Sequence, residues 1–149
     1  MQFTTSQVHA ALNLPSQTLR YWRTVLEPLK NKPGGKTARF SVGEILALAV
    51  VAKLVMGMRI EVGAIAPLSG ALFELCRRPG FFAETTQLSI DIEQALVFLM
   101  NEPVSATKNH PLILVPIAEM SREVTKLLIE PDDFEFDQRE FPWPLTSVK

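Results

Sequence analysis

Gln17, Thr18, Arg20, Tyr21 and Arg23 crowd into one short stretch of the chain, and their side chains suit the reading of a nucleic acid. A glutamine amide donates and accepts side by side, which matches the edge of adenine. An arginine fork matches guanine, or grips phosphate. Downstream, Lys30, Lys32, Lys36 and Arg39 add charges of the kind that neutralise a phosphate backbone.

Other chemistries find little support. Cys76 is the only cysteine, and His9 and His110 stand far apart, whereas thiolate and imidazole metal sites need several ligands at set spacings. No nucleophile constellation, phosphate loop or pair of catalytic carboxylates stands out, so an enzyme is not expected, nor a catalytic residue, a metal or a cofactor. A lone cysteine forms no intrachain disulfide, which points to a reducing cytoplasm. The N-terminal Met-Gln-Phe-Thr-Thr carries neither a basic region nor an apolar signal core, and no long apolar run suggests a membrane span.

Charge is unevenly spread. The 149 residues carry a formal net charge of −1. Residues 1–59 hold eight Lys/Arg against two Asp/Glu, a net +6, and residues 60–149 hold seven against fourteen, a net −7. Phosphate binding depends on local charge, so the basic first part fits a nucleic-acid partner despite the neutral whole. With 47% hydrophobic residues the chain is rich enough in apolar side chains to bury a core.

The elements that would position the basic residues follow from local signals. Thr4-Thr5-Ser6-Gln7 fits a capping box that opens a helix, with Val8, Ala11 and Leu12 at helical spacing. Asn13 tolerates the left-handed conformation that stops a helix. A second helix starts at Pro15 or Ser16 and places Leu19, Trp22 and Leu26 on one buried stripe. Gln17, Thr18, Arg20, Tyr21 and Arg23 lie off that stripe. Pro28 marks its end. Residues 29–40 are not expected to be helical, and the turn signal Pro33-Gly34-Gly35 suggests two strands joined as a basic hairpin, or wing. Ser41-Val42-Gly43-Glu44 is a second capping box, for a helix through about Met56 that Gly57 ends. Residues 60–78 read as helix with Pro67 either kinking it or starting a new one.

The later chain is less patterned. Leu88, Ile90 and Ile92 alternate, but Ala95, Leu96 and Leu99 have helical spacing. Leu112 to Val115 is a short strand ended by Pro116. Residues 118–129 read as an amphipathic helix with Val124, Leu127 and Leu128 inward. Beyond it, Glu130 to Lys149 is acidic and aromatic. Phe134, Phe136, Phe141 and Trp143 would pin this tail to the core, or the tail would meet a partner or the basic face.

Phe3-Thr4, Val8, Leu12, the run Thr18-Leu19-Arg20-Tyr21-Trp22, Leu26, the glycine turn, Arg39-Phe40-Ser41, and Glu44 with Leu48 resemble the MerR family of bacterial transcription regulators. The resemblance covers about Phe3 to Met58 and weakens through Leu75. It implies a winged helix-turn-helix in which the helix bearing Thr18, Arg20 and Tyr21 reads DNA and Lys36 and Arg39 touch flanking phosphates. Two departures stand out. Gly35-Lys36-Thr37-Ala38 replaces the family's aromatic-and-arginine wing signature. No long heptad run follows Cys76, so dimerisation would use another surface than the family's long helix.

The expected architecture is mainly α with small β elements, an α+β chain. Residues 1–78 would form the winged helix-turn-helix, 79–129 a small α+β or helical association region, and 130–149 the tail. The expected function is sequence-specific DNA binding in transcription regulation, on double-stranded DNA and as a homodimer, since helix-turn-helix readers usually bind paired half-sites. The alternatives are an architectural DNA-binding protein of excisionase or phage-packaging type, a winged helix that binds protein, and a regulator with a small-molecule effector pocket in residues 66–129.

Overall fold

The computed structural model describes residues 1–78, 86–100 and 111–129. The readings made for residues 130–149 and for His110 lie outside them.

The chain opens with strand β1 (Gln2–Thr4) and helix α1 (Thr5–Leu12). The capping box forms as its spacing requires. Thr4 Oγ1 accepts from the Gln7 amide at 3.3 Å, and Gln7 Oε1 accepts from the Thr4 amide at 2.8 Å. Two of the unpaired N–H groups at this end of the chain segment are thus satisfied reciprocally. Asn13 takes φ 51° and ends the helix. The half-buried His9 donates through Nδ1 to the Leu14 carbonyl at 3.1 Å, which stitches the turn to α1. Helix α2 (Ser16–Val25) follows at once, with Pro15 just before it. Its stripe of Leu19, Trp22 and Leu26 is fully buried. Each such side chain contributes about 1.5–3 kcal/mol of hydrophobic stabilisation or more.

The expected basic hairpin is not formed. Single turns of 3-10 helix occupy Glu27–Leu29 and Gly35–Thr37, and Gly35 takes φ 67°. The segment after the turn, strand β2 (Arg39–Ser41), pairs antiparallel with β1, Phe3 opposite Phe40, and not with the residues before the turn. The reason lies in burial. Phe3 and Phe40 both reach the core only if the two strands lie side by side.

Helix α3 (Val42–Ala52) is the centre of the fold, and every residue from Val42 to Val51 is buried. It packs against α1, α4, α5 and β2. A π-helical turn, Lys53–Gly57, ends it. Helix α4 (Val62–Arg77) runs unbroken through Pro67, so no new helix starts there, and the missing proline N–H leaves the Gly63 carbonyl without its helical donor. Val62, Ile65, Leu68, Leu72, Phe73 and Cys76 form its buried stripe.

Strands β3 (Gln87–Asp91), β4 (Leu96–Met100) and β5 (Ile113–Val115) make an antiparallel sheet in the order β4-β3-β5. The helical spacing read at Ala95, Leu96 and Leu99 is therefore overturned. Asp91 Oδ1 accepts from the Gln94 amide at 3.0 Å, Ala95 takes φ 52°, and the chain reverses into a strand. Helix α5 (Ile117–Leu128) then lies on α3 and α1. Leu88, Ile90, Val115, Ile117, Met120 and Val124 join the same apolar core as Trp22 and Phe40, so the core crosses the expected boundary at residue 78 without a break. Leu127, expected inward, is 61% exposed. The structure is thus mostly helical with small antiparallel sheets, an α+β fold.

Where α3 meets the end of α4, Gly43 admits no side chain. A Cβ there would stand 2.6 Å from the Cys76 carbonyl oxygen and 2.9 Å from the Arg77 Cα. Both atoms are backbone, so relief requires the helices to part. Gly43→Ala is expected to cost about 1–3 kcal/mol of stability, read by chemical denaturation. In the same crossing, burial pushes the Cys76 thiol from an ordinary value near 9 up to about 12, against a smaller opposing pull from Arg77. The folded chain then keeps a neutral thiol where the unfolded chain ionises. Stability associated with this group is complete below pH 9 and is lost as pH rises toward 12. Alkylation of Cys76 at pH 8 should track unfolding, and labelling of the native chain at the rate of a free thiol would contradict this burial.

Candidate nucleic-acid interface

The short connection through Asn13, Leu14 and Pro15 joins the end of α1 to the start of α2. An open groove of about 500 Å³ is lined by the first turn of α1, by one face of α2 and by Gly35 and Lys36 of the Gly35–Thr37 turn. Thr5, Ser6 and Ser16 bring hydroxyls to it from the first turns of the two helices, and Arg20, Arg23 and Lys36 bring charge. Among the described residues none that lines it is acidic. Helix starts carry unpaired N–H groups and a positive dipole end, so they favour the same sign of ligand as the three cations. The chemistry of the groove is that of an anion cradle. The hydroxyls were missed in the sequence reading. Their signal was present, since Ser and Thr at helix starts stand beside unpaired amides.

The nine residues expected to meet DNA divide by what they already do. Gln17, Arg20 and Lys36 are exposed, and Tyr21 is 59% exposed, so the ring of Tyr21 is not part of the core beside Trp22. Thr18 is half-buried. Among the described residues these side chains have no hydrogen-bond or ionic partner in the fold. On a helix, Arg20 falls four residues after Ser16 and faces the groove, while Gln17 and Tyr21, also four apart, share the adjoining face.

The others brace the backbone. Arg23 donates to the Lys32 carbonyl at 2.7 Å and the Pro33 carbonyl at 2.6 Å, clamping α2 to the turn. Arg39 donates to the Lys36 carbonyl at 2.7 Å and the Ala38 carbonyl at 2.9 Å, which holds the 3-10 turn closed. Thr5 Oγ1 reaches the Gly35 carbonyl from the other side at 3.4 Å. Lys30 pairs with Glu27 at 2.8 Å on the surface.

Lys32 is drawn inward. Its Nζ meets Glu44 Oε2 at 2.7 Å, donates to the Arg39 carbonyl at 2.8 Å and lies 5.2 Å above the Phe40 ring. The two side chains are 18% and 10% exposed. Arg77 approaches the other carboxylate oxygen at 3.7 Å. The Lys32 charge is thus matched within the fold.

Among the described residues no three His, Cys, Asp or Glu side chains gather as a metal site would require, and no helix is long and apolar enough to cross a membrane. Compared with protein-family models, curated proteins and solved structures, the chain matches none.

The two ion pairs differ in what their loss should do. Glu44→Ala strands Lys32 in a largely dry setting and takes the carboxylate acceptor from the Ser41 hydroxyl, while the Ser41 cap on the backbone amide of residue 44 remains, so a loss of about 2–4 kcal/mol is expected. Lys30→Ala breaks an exposed pair and should change stability by less than about 1 kcal/mol. Urea unfolding of both variants reads the contrast, and equal losses would contradict the assignment of Lys32 and Glu44 as a structural pair.

Proposed function

We propose that this chain is a sequence-specific DNA-binding protein acting in transcription regulation, with α2 as the helix that enters the major groove. One observation carries the reading: α2 presents Gln17, Arg20 and Tyr21 to solvent directly beside a groove whose described lining brings together Arg20, Arg23 and Lys36 with no acid among them. Side chains with no internal task stand next to a surface made for phosphate. That is the division of labour in a protein–DNA interface, where phosphate contacts position the protein and base contacts supply the sequence preference.

In this reading a backbone phosphate seats in the groove. Lys36 and the Ser6 and Ser16 hydroxyls at the starts of α1 and α2 receive it. Seating fixes the register of α2 on the duplex. Arg20 then reaches guanine or an adjacent phosphate, Gln17 suits adenine, and Tyr21 and Thr18 supply apolar or hydroxyl contacts at the groove wall. Arg23 and Arg39 contribute field and rigidity more than direct contact, because their N–H groups are engaged with carbonyls. The resemblance of residues 3–58 to the MerR regulators supports the same helix in the same role. The turn at Gly35–Thr37 serves where that family carries a strand-built wing. The protein works in the cytoplasm as a homodimer, which doubles the contact set and fixes the half-site spacing.

Selection of bound fragments from a random duplex pool, followed by a salt titration on the winner, tests this. Enrichment of a paired motif with a steep salt dependence is expected. Absence of any enrichment at low salt would overturn the proposal. Residue by residue, Arg20→Ala should weaken specific binding by about 1–3 kcal/mol and relax preference at one position. Lys36→Ala should weaken binding to all sequences alike and reduce the salt slope by about one ion. The reverse pattern would exchange their roles.

A further inference from the structure

We infer that His9 is a ligand of the phosphate seated in the groove, and that DNA binding takes up a proton at its Nε2. The inference rests on the reading of the groove as a DNA interface, and adds to it a residue that the sequence did not mark for that role. His9 lines the groove together with Ser16, Arg20, Arg23 and Lys36. It stands four residues after Thr5 and three after Ser6, so the three share one face of α1. Across the turn, its Nδ1 lies 3.1 Å from the carbonyl of Leu14, two residues before α2 begins. The ring thus ties α1 to the start of α2 while its surface faces the groove. A carbonyl oxygen only accepts, so Nδ1 carries a proton whatever the charge on the ring. In the neutral ring Nε2 is then a bare acceptor and offers nothing to an anion. Protonated there, the ring is a cation with a second N–H, on the edge turned away from Leu14, and a charged N–H suits a phosphate oxygen. The half-buried ring is already held at one nitrogen, so little freedom is lost when the other is engaged.

The charges around the ring set the direction of the effect. Arg20 and Arg23 come from α2, and Lys36 from the Gly35–Thr37 turn. On the other elements packed against α1, Arg39 of β2 is engaged with two carbonyls, and Glu44 of α3 is paired with Lys32. α5 carries Glu119, Arg122, Glu123 and Lys126. Of these, Glu123 meets α1 at its far end, beside Ala11, Leu12 and Asn13, where Lys53 also lies. The groove itself gathers cations, and the negative charge brought next to the ring is that of the phosphate. An opposite charge at that distance favours the imidazolium. Proton uptake and phosphate binding are therefore linked, and each strengthens the other to the same degree.

Affinity for a mixed-sequence duplex at low salt, measured across a pH series, is the test. Binding by the full chain should tighten about fivefold or more between about pH 7.5 and pH 5.5, the range in which histidine gains its charge. His9→Asn keeps a side-chain donor for the Leu14 carbonyl and cannot take up the proton, so the gain should vanish. His110→Asn, at the other histidine, should retain it. An equal gain in H9N with native circular dichroism, or no gain in the wild type, would overturn the inference while the chain still binds DNA. A second measurement needs neither DNA nor a variant, and decides the matter should H9N fail to fold. In NMR spectra of the ring nitrogens, sulfate should raise the pH at which His9 takes up its second proton, compared with chloride at equal ionic strength. A ring that titrates alike in both salts would overturn the inference. A chain that binds no duplex at any pH, with His9 still answering to sulfate, would overturn the DNA reading and support His9 as the anion ligand of the groove.

Discussion

The carboxylate of Glu44 gathers three separate parts of the chain at one polar point. It lies in the first turn of α3, where its amide donates to Ser41 Oγ at 3.2 Å, and its two oxygens face Lys32 and Arg77. The turn that carries the basic residues, the central helix and the end of α4 are thereby held to one point. Burying an acid is costly unless its charge is matched, and here two cations and a hydroxyl share the matching. The arrangement demands Gly43 next to it. With any larger residue the end of α4 could not come close enough to bring Arg77 within 3.7 Å.

From that point the groove is assembled by backbone carbonyls. Arg23 and Arg39 each spend two hydrogen bonds on main-chain oxygens of the turn, and Lys32 spends one more. A loop containing Pro33, Gly34 and Gly35 would otherwise be free to wander, and ordering it carries a conformational entropy cost. Held this way, it presents Lys36 in one place. The basic residues thus form two populations, one that shapes the surface and one that is left on it.

Much of this was legible in the sequence, for physical reasons that differ by element. Caps and helix stops depend on neighbours three or four residues away, so Thr4 with Gln7, Asn13 and Ser41 could be read directly. So could the stripe of Leu19, Trp22 and Leu26. The wing could not. Pro33-Gly34-Gly35 signals a turn, but whether its flanks pair with each other depends on β1, more than thirty residues upstream. Leu96 to Met100 misled for another reason. An unbroken apolar run satisfies a helical and an extended spacing alike, and the deciding feature, Asp91 turning the chain through Gln94, sits outside the run. The brace residues were read as DNA contacts because a sequence shows the charge of Arg23 and Lys32 and not the carbonyls or carboxylate they meet.

The separation of stripes on α2 has a consequence for how such a protein can change over generations. Leu19 and Trp22 hold the helix in place from one side, and Gln17, Arg20 and Tyr21 look outward with no internal duty. Replacing the outward residues leaves core packing, caps and clamps intact. Lineages carrying this fold can therefore revise the outward face freely, one position at a time, without first acquiring compensating substitutions. Arg23 and Lys32 have no such freedom, and drift there would erode the scaffold.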